Sequence, residues 1–244
     1  MFGSWVMLVL ILISSIPVII VFIWLKLGKY QISIVRFFMA LLAGATAIFP
    51  ALILQFYLSI HVTNLTGRAM VFFEFFVRIA LTEELSRLLI LLIFFWISGI
   101  IKPEDGLCKN LSFGAINKAT AIGLIAGFGF ALIESAGYIV QSMDAGLIFK
   151  RIFTAALHGA CSARIGAAAI LFRTSPIQAI MRIITATAIH GVYNMMIGLP
   201  GVPSIAAIMI AISAFVSAVS SIRGGWNEDE TGSPAASASL DKRR

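Results

Sequence analysis

The sequence predicts an all-α, polytopic membrane protein with about seven transmembrane helices. Charged residues make up only 12% of the 244-residue chain, against roughly a quarter in ordinary soluble domains. Apolar residues make up 60%, and the mean hydropathy is +1.01. These apolar residues fall in runs long enough to cross ~30 Å of hydrocarbon at about 1.5 Å per helical residue. Helices that are apolar all round have to be surrounded by lipid or by one another.

Seven runs meet that length, at approximately 3–25, 36–58, 79–101, 117–140, 148–172, 179–199 and 203–222. The first has no basic leader and no A-x-A cleavage site, so it is expected to remain as a span rather than be removed as a signal peptide. The apolar stretch 70–101 is too long for one simple crossing. Residues 68–79 are therefore expected to form an interfacial approach, with Glu74 and Arg78 as a structural i,i+4 pair. Residues 226–244, WNEDETGSPAASASLDKRR, are polar and aperiodic and read as a disordered tail after a single transmembrane domain over 1–225.

The net charge of +7 does not indicate nucleic-acid binding, because the basic residues are scattered singly between apolar runs. Placing the N-terminus outside puts twelve of them, Lys26, Arg173, Arg182 and Arg223 included, on the cytoplasmic side. Only Arg68, Lys150 and Arg151 remain on the other side. That is the bias of the positive-inside rule, and it puts the C-terminal tail in the cytoplasm. The two cysteines, Cys108 and Cys161, differ too much in setting to form a disulfide framework and read as free thiols.

Four places break the apolar pattern with ionisable groups: Glu83, Glu84 and Arg87; Glu134; His158; and His190. An ionisable residue inside a span costs several kcal/mol unless it is paired, and so marks a functional site by default. Measured along each helix from the outer boundary, Glu83 and Glu84 lie about 8–9 Å deep, Glu134 and His158 about 10 Å, and His190 about 15 Å. Neighbouring helices thus bring carboxylates and imidazoles to one layer. Glu83 and Arg87 share a face at i,i+4, so one glutamate is expected to be anchored and the other reactive: Glu84, turned about 100° away, activates the water, or Glu83 if the helix is rotated. By the same spacing Phe130 and Tyr138 flank Glu134, Asn194 follows His190, and Arg151 shares a face with His158.

Such a layer suits hydrolysis without a serine or cysteine nucleophile. A carboxylate takes a proton from water, while imidazole or the Asn194 amide stabilises the developing oxyanion. The same residues also suit a divalent metal such as zinc, with Glu134, His158 and His190 as ligands and water in the fourth position. The sequence leaves the two versions open. A proton-coupled transporter or channel would also place Glu and His in spans, but it would need a polar path through the full depth. An inactive scaffold of the same fold would tolerate loss of Glu84.

The set E83-E84-x-x-R87, F130-x-x-x-E134 with Tyr138, R151 followed by H158, and H190-x-x-Y193-N194 resembles the PrsW family of intramembrane endopeptidases. That family is distantly related to the CAAX prenyl endopeptidases and the CPBP proteins. The resemblance covers roughly 70–198, the expected catalytic core. Arg87 stands where the family often has Lys, and Ser135 stands where Asn is common. The CAAX enzymes carry His at the position of Glu134, which points away from a prenylated substrate. The resemblance implies cleavage of a membrane-anchored protein, such as an anti-sigma-factor-like protein, in or near a bacterial plasma membrane. It also implies Glu83, Glu84, Glu134, His158, His190 and Asn194 as site residues, supported by Arg87, Tyr138 and Arg151.

Overall fold

The computed structural model describes residues 15–28, 30, 32–100, 113–141, 145–199 and 204–231. All regular structure among them is helical. The expected first span lies outside the described residues over 3–14, as do Cys108 and the part of the expected tail from 232 onward. The described remainder of the first span is α1, Ile16–Leu27, with proline in its first turn, where a missing N–H costs nothing.

The second expected span is broken in two. Helix α2, Ile34–Thr46, is capped by Ser33, whose Oγ accepts the Arg36 N–H at 3.2 Å. Helix α3, Ile48–His61, follows after Ala47. Pro50 is the physical reason, since it has no N–H to give the Thr46 carbonyl one turn earlier. Together α2 and α3 form a 28-residue apolar stretch. Only Ala51 of α3 is buried, and Leu52, Ile53 and Phe56 face outward.

The segment expected as an interfacial approach is instead continuous with the span that follows it. Helix α4, Gly67–Phe72, runs into a π-helical segment, Phe73–Leu81, and then into α5, Thr82–Ile97. Glu74 and Arg78 do form the expected ion pair within the π-helical segment. Helix α5 ends in a Schellman arrangement. Gly99 at φ 66 lets Ile100 N–H reach the Phe95 carbonyl at 3.0 Å and its own N–H reach Trp96 at 3.2 Å.

Helices α6, Phe113–Gln141, and α7, Ala145–Leu171, form the centre. Almost every described side chain of α6 from Ala119 to Ala131 is buried. Lipid offers no hydrophobic drive for helix pairing, so close approach depends on small residues. At Gly127 a Cβ would lie 2.2 Å from the His158 carbonyl oxygen; the absence of that carbon lets α6 and the His158 face of α7 touch. Helix α8, Pro176–Gly198, packs on α7 and on the π-helical segment, where Gly191 makes room for the Phe76 ring. Helix α9, Ser204–Thr231, closes the bundle against α6, α7 and α8.

Among the described residues, five stretches are long and apolar enough to cross a membrane: 34–61, 114–138, 150–171, 176–198 and 205–223. The expected span at 79–101 is not among them. Its α-helical part has only 16 residues, and five charged residues lie between positions 74 and 87 of the same helical path. The chain is an all-helical integral membrane protein.

Candidate active site

Arg87 is the hub. It is completely buried and runs from the first turns of α5 into the space between α6, α7 and α8. Its Nη2 donates to Glu84 Oε1 at 2.5 Å. Its Nη1 donates to Ser162 Oγ at 3.0 Å and to His158 Nδ1 at 3.1 Å, and its Nε donates to the Glu83 carbonyl at 3.2 Å. The Phe130 ring covers the guanidinium at 4.6 Å.

Hydrogen-bond logic fixes the imidazoles. A guanidinium has donors only, so His158 Nδ1 accepts, and the proton sits on Nε2. That Nε2–H points at Glu134 Oε2, 2.8 Å away. His190 Nδ1 lies 2.8 Å from Glu84 Oε1 and 3.4 Å from Arg87 Nη2. The carboxylate has no proton to give, so the shorter contact requires the proton on Nδ1 and the arginine contact is only a near approach. His190 Nε2 is then left with a lone pair, 3.7 Å from Glu83 Oε2. The two imidazoles meet edge to face with centroids 4.9 Å apart.

Glu134 accepts from Arg151 Nη2 at 2.5 Å as well as from His158. Arg151 Nε bonds Ser135 Oγ at 3.0 Å, and its guanidinium lies over the Tyr138 ring at 4.7 Å. The aromatic ladder expected around Glu134 is therefore split: Phe130 serves Arg87 and His158, and Tyr138 serves Arg151.

A cavity of about 720 Å³ reaches this layer, in the half of the bundle where α6 ends, α7 begins and α8 ends. Glu83, Glu134, Arg151 and Asn194 line it, while Glu84, His158 and His190 sit behind that lining. Within the pair, the contacts follow the rotated arrangement rather than the one with Glu83 anchored. Glu84 is the anchored carboxylate, because His158, Ser162 and His190 all lie on its side and draw the guanidinium with them. Glu83 keeps a looser 3.8 Å contact with Arg87 and faces the cavity.

Among the described residues, Glu83 Oε2 and Glu84 Oε2 are buried without a hydrogen-bond partner. An unpartnered carboxylate oxygen out of water is costly. The cost falls if a proton, water or cation comes to it. Ligand atoms of Glu83, His158 and His190 lie within 4.8 Å of one another. Glu83 thus takes the place that the sequence suggested for Glu134 in a metal-binding set. Two imidazoles and a carboxylate fit a divalent cation such as zinc in donor type. Glu83 Oε2 and His190 Nε2 already point free electron pairs into the gap, but His158 would have to release either Arg87 or Glu134.

Sequence reasoning missed two residues. Gln55 of α3 donates from Nε2 to Glu83 Oε1 at 3.2 Å and lines the cavity. Its signal was a lone amide in the apolar run ALILQFYL. Ser162 was a small hydroxyl in a span, a type common as helix glue. Thr154 and Tyr193 share a buried hydroxyl–hydroxyl bond of 2.8 Å beside the cavity.

A membrane-embedded layer of carboxylates and imidazoles, reached by a cavity and held by a buried arginine, defines an intramembrane hydrolase class. Residues 34–220 match the family described as PrsW family intramembrane metalloprotease. That is more than half of the chain, which therefore belongs to this family and is an intramembrane protease. No curated protein and no solved structure matches the chain.

Proposed function

We propose that the protein hydrolyses a peptide bond of a membrane-anchored protein, with Glu83 as the general base that activates water. One observation carries the assignment: both adjacent glutamates keep an oxygen without a partner, but of the two it is Glu83 that lines the cavity. Water held between Glu83 Oε2 and a substrate carbonyl loses its proton to the carboxylate as it attacks, and the proton then passes to the leaving amine. This acid–base exchange is worth about 10²–10⁴-fold in rate. The Asn194 amide, which lines the same cavity, donates to the developing oxyanion. Glu84, bonded to Arg87 and His190, fixes His190 in the tautomer that leaves Nε2 open toward Glu83. Glu134 does the same for His158 through its Nε2–H.

In the alternative version, in which Glu83 is a ligand and not the base, Glu83, His158 and His190 would hold a divalent cation, which when bound would supply Lewis-acid polarisation of the scissile carbonyl and lower the pKa of bound water. The substrate class is a single-span signalling protein of the anti-sigma-factor type, admitted from the bilayer to the cavity. We further propose seven crossings, the third of them by the helical path through α5. The N-terminus and the cavity lie on the exterior side of a bacterial plasma membrane. The positive-inside bias of the basic residues supports that orientation.

The test is cleavage of a tagged single-span substrate by protein reconstituted in vesicles. Glu83→Gln, His158→Ala and His190→Ala should each abolish detectable product, while Glu74→Ala cleaves at the native rate. Equal rates in all four would sink the mechanism. Full activity of chelator-treated, metal-free protein would remove the cation from it.

A further inference from the structure

We propose that the groove formed by Arg164, Arg182, Gln178 and Thr185 binds the headgroup of an anionic phospholipid. It lies between α7 and α8, with α9 alongside, in the half of the bundle away from the active site. Its volume is about 410 Å³.

Around the active-site cavity, Arg78, Arg87 and Arg151 each have their own glutamate: Glu74, Glu84 and Glu134. Arg164 and Arg182, which share one groove in the other half, have no such partner among the described residues, and no acidic residue lines their groove. Arg164 donates from Nη1 to the Ala160 carbonyl at 2.9 Å and from Nη2 to Ser217 Oγ at 3.2 Å. Those two neutral acceptors use a minority of its five N–H donors and cancel none of its charge. Both arginines line the same groove, so the two like charges share one site.

Two like charges drawn together within membrane-spanning helices are unfavourable unless an anion joins them. At this depth the bilayer itself is the source of anions, and a phosphate is the group that two guanidiniums recognise best, through forked hydrogen bonds. The rim completes a lipid site. Ile177 and Met181 line the same groove and are exposed, so an acyl chain has an apolar surface beside the headgroup. Gln178 is exposed and adds an amide for the phosphate or its substituent. Basic pockets between helices on the cytoplasmic side are where anionic headgroups bind in general.

Delipidated protein in detergent is titrated with phosphatidylglycerol, with phosphatidylcholine and with inorganic phosphate, and bound lipid is counted by native mass spectrometry. Phosphatidylglycerol should bind roughly tenfold or more tightly than phosphatidylcholine, the scale expected for two arginines at a lipid surface. R164Q/R182Q should lose that preference and R164K/R182K should keep most of it. If the double glutamine variant does not fold, R182Q alone is read by the same criterion. No preference in the native protein, or an undiminished one in the glutamine variant, would overturn the site. Displacement of the lipid by equimolar inorganic phosphate would overturn the lipid assignment in favour of a soluble anion.

Discussion

At the residue scale, the proposed mechanism divides chemistry from structure between the two adjacent glutamates. Glu84 is fully buried and bonded to both Arg87 and His190. Removing it leaves a buried guanidinium without its counter-charge, and breaking such a pair typically costs about 3–5 kcal/mol. Glu84→Ala should therefore lower resistance to denaturant in detergent by that order, whereas Glu83→Gln, which keeps the shape and the Gln55 contact, should unfold within about 1 kcal/mol of the native protein. An equal loss in both would show that the pair acts as one structural unit. Sequence periodicity put both carboxylates beside Arg87, with Glu84 expected as the reactive one unless the helix is rotated. An i,i+4 and an i,i+3 partner are nearly equivalent on an isolated helix; here His158, Ser162 and His190, on other helices, decided which one the guanidinium chose.

At the element scale, what was legible was the set of helices and the convergence of their polar groups. Depth along the axis depends only on residue count, so Glu83, Glu134, His158 and His190 came out in one layer without any knowledge of packing. Local backbone irregularity was not legible. The break before α3 and the π-helical segment before α5 leave little trace in hydropathy, because both keep the apolar pattern running through them. The π-helical segment sets Phe75 and Phe76 against Gly198 and Gly191 of α8, and such segments tend to occur at functional sites. Contact between α6 and α7 is equally specific. Gly127→Ala puts a carbon 2.2 Å from the His158 carbonyl oxygen, a backbone atom that cannot swing aside. Overpacking of this kind costs about 1–3 kcal/mol, and here it also pushes His158 off Arg87 and Glu134. Gly137→Ala, on the same helix, meets nothing within 4 Å. The first variant should lose both thermal stability and cleavage, and the second should match the native protein; similar behaviour of the two would refute the close-approach argument.

At the scale of the whole molecule, the cavity occupies one half of the bundle and the unpaired arginines occupy the other, so the orientation proposed from loop charges makes a physical claim about both. If the cavity mouth is exterior, Lys150, exposed at its rim, is reached from outside the cell. Thr174, exposed in the turn between α7 and α8, is reached only from inside. Single cysteines at these positions, in a Cys108→Ser background, separate the possibilities with a membrane-impermeant maleimide. Cys161 is buried and should stay silent. Lys150→Cys should label on intact cells and Thr174→Cys only after permeabilisation. The reverse pattern would place the cavity on the cytoplasmic side, which removes an exterior cleavage site. It would also move the arginine groove away from the cytoplasmic leaflet, where anionic headgroups create a negative surface potential.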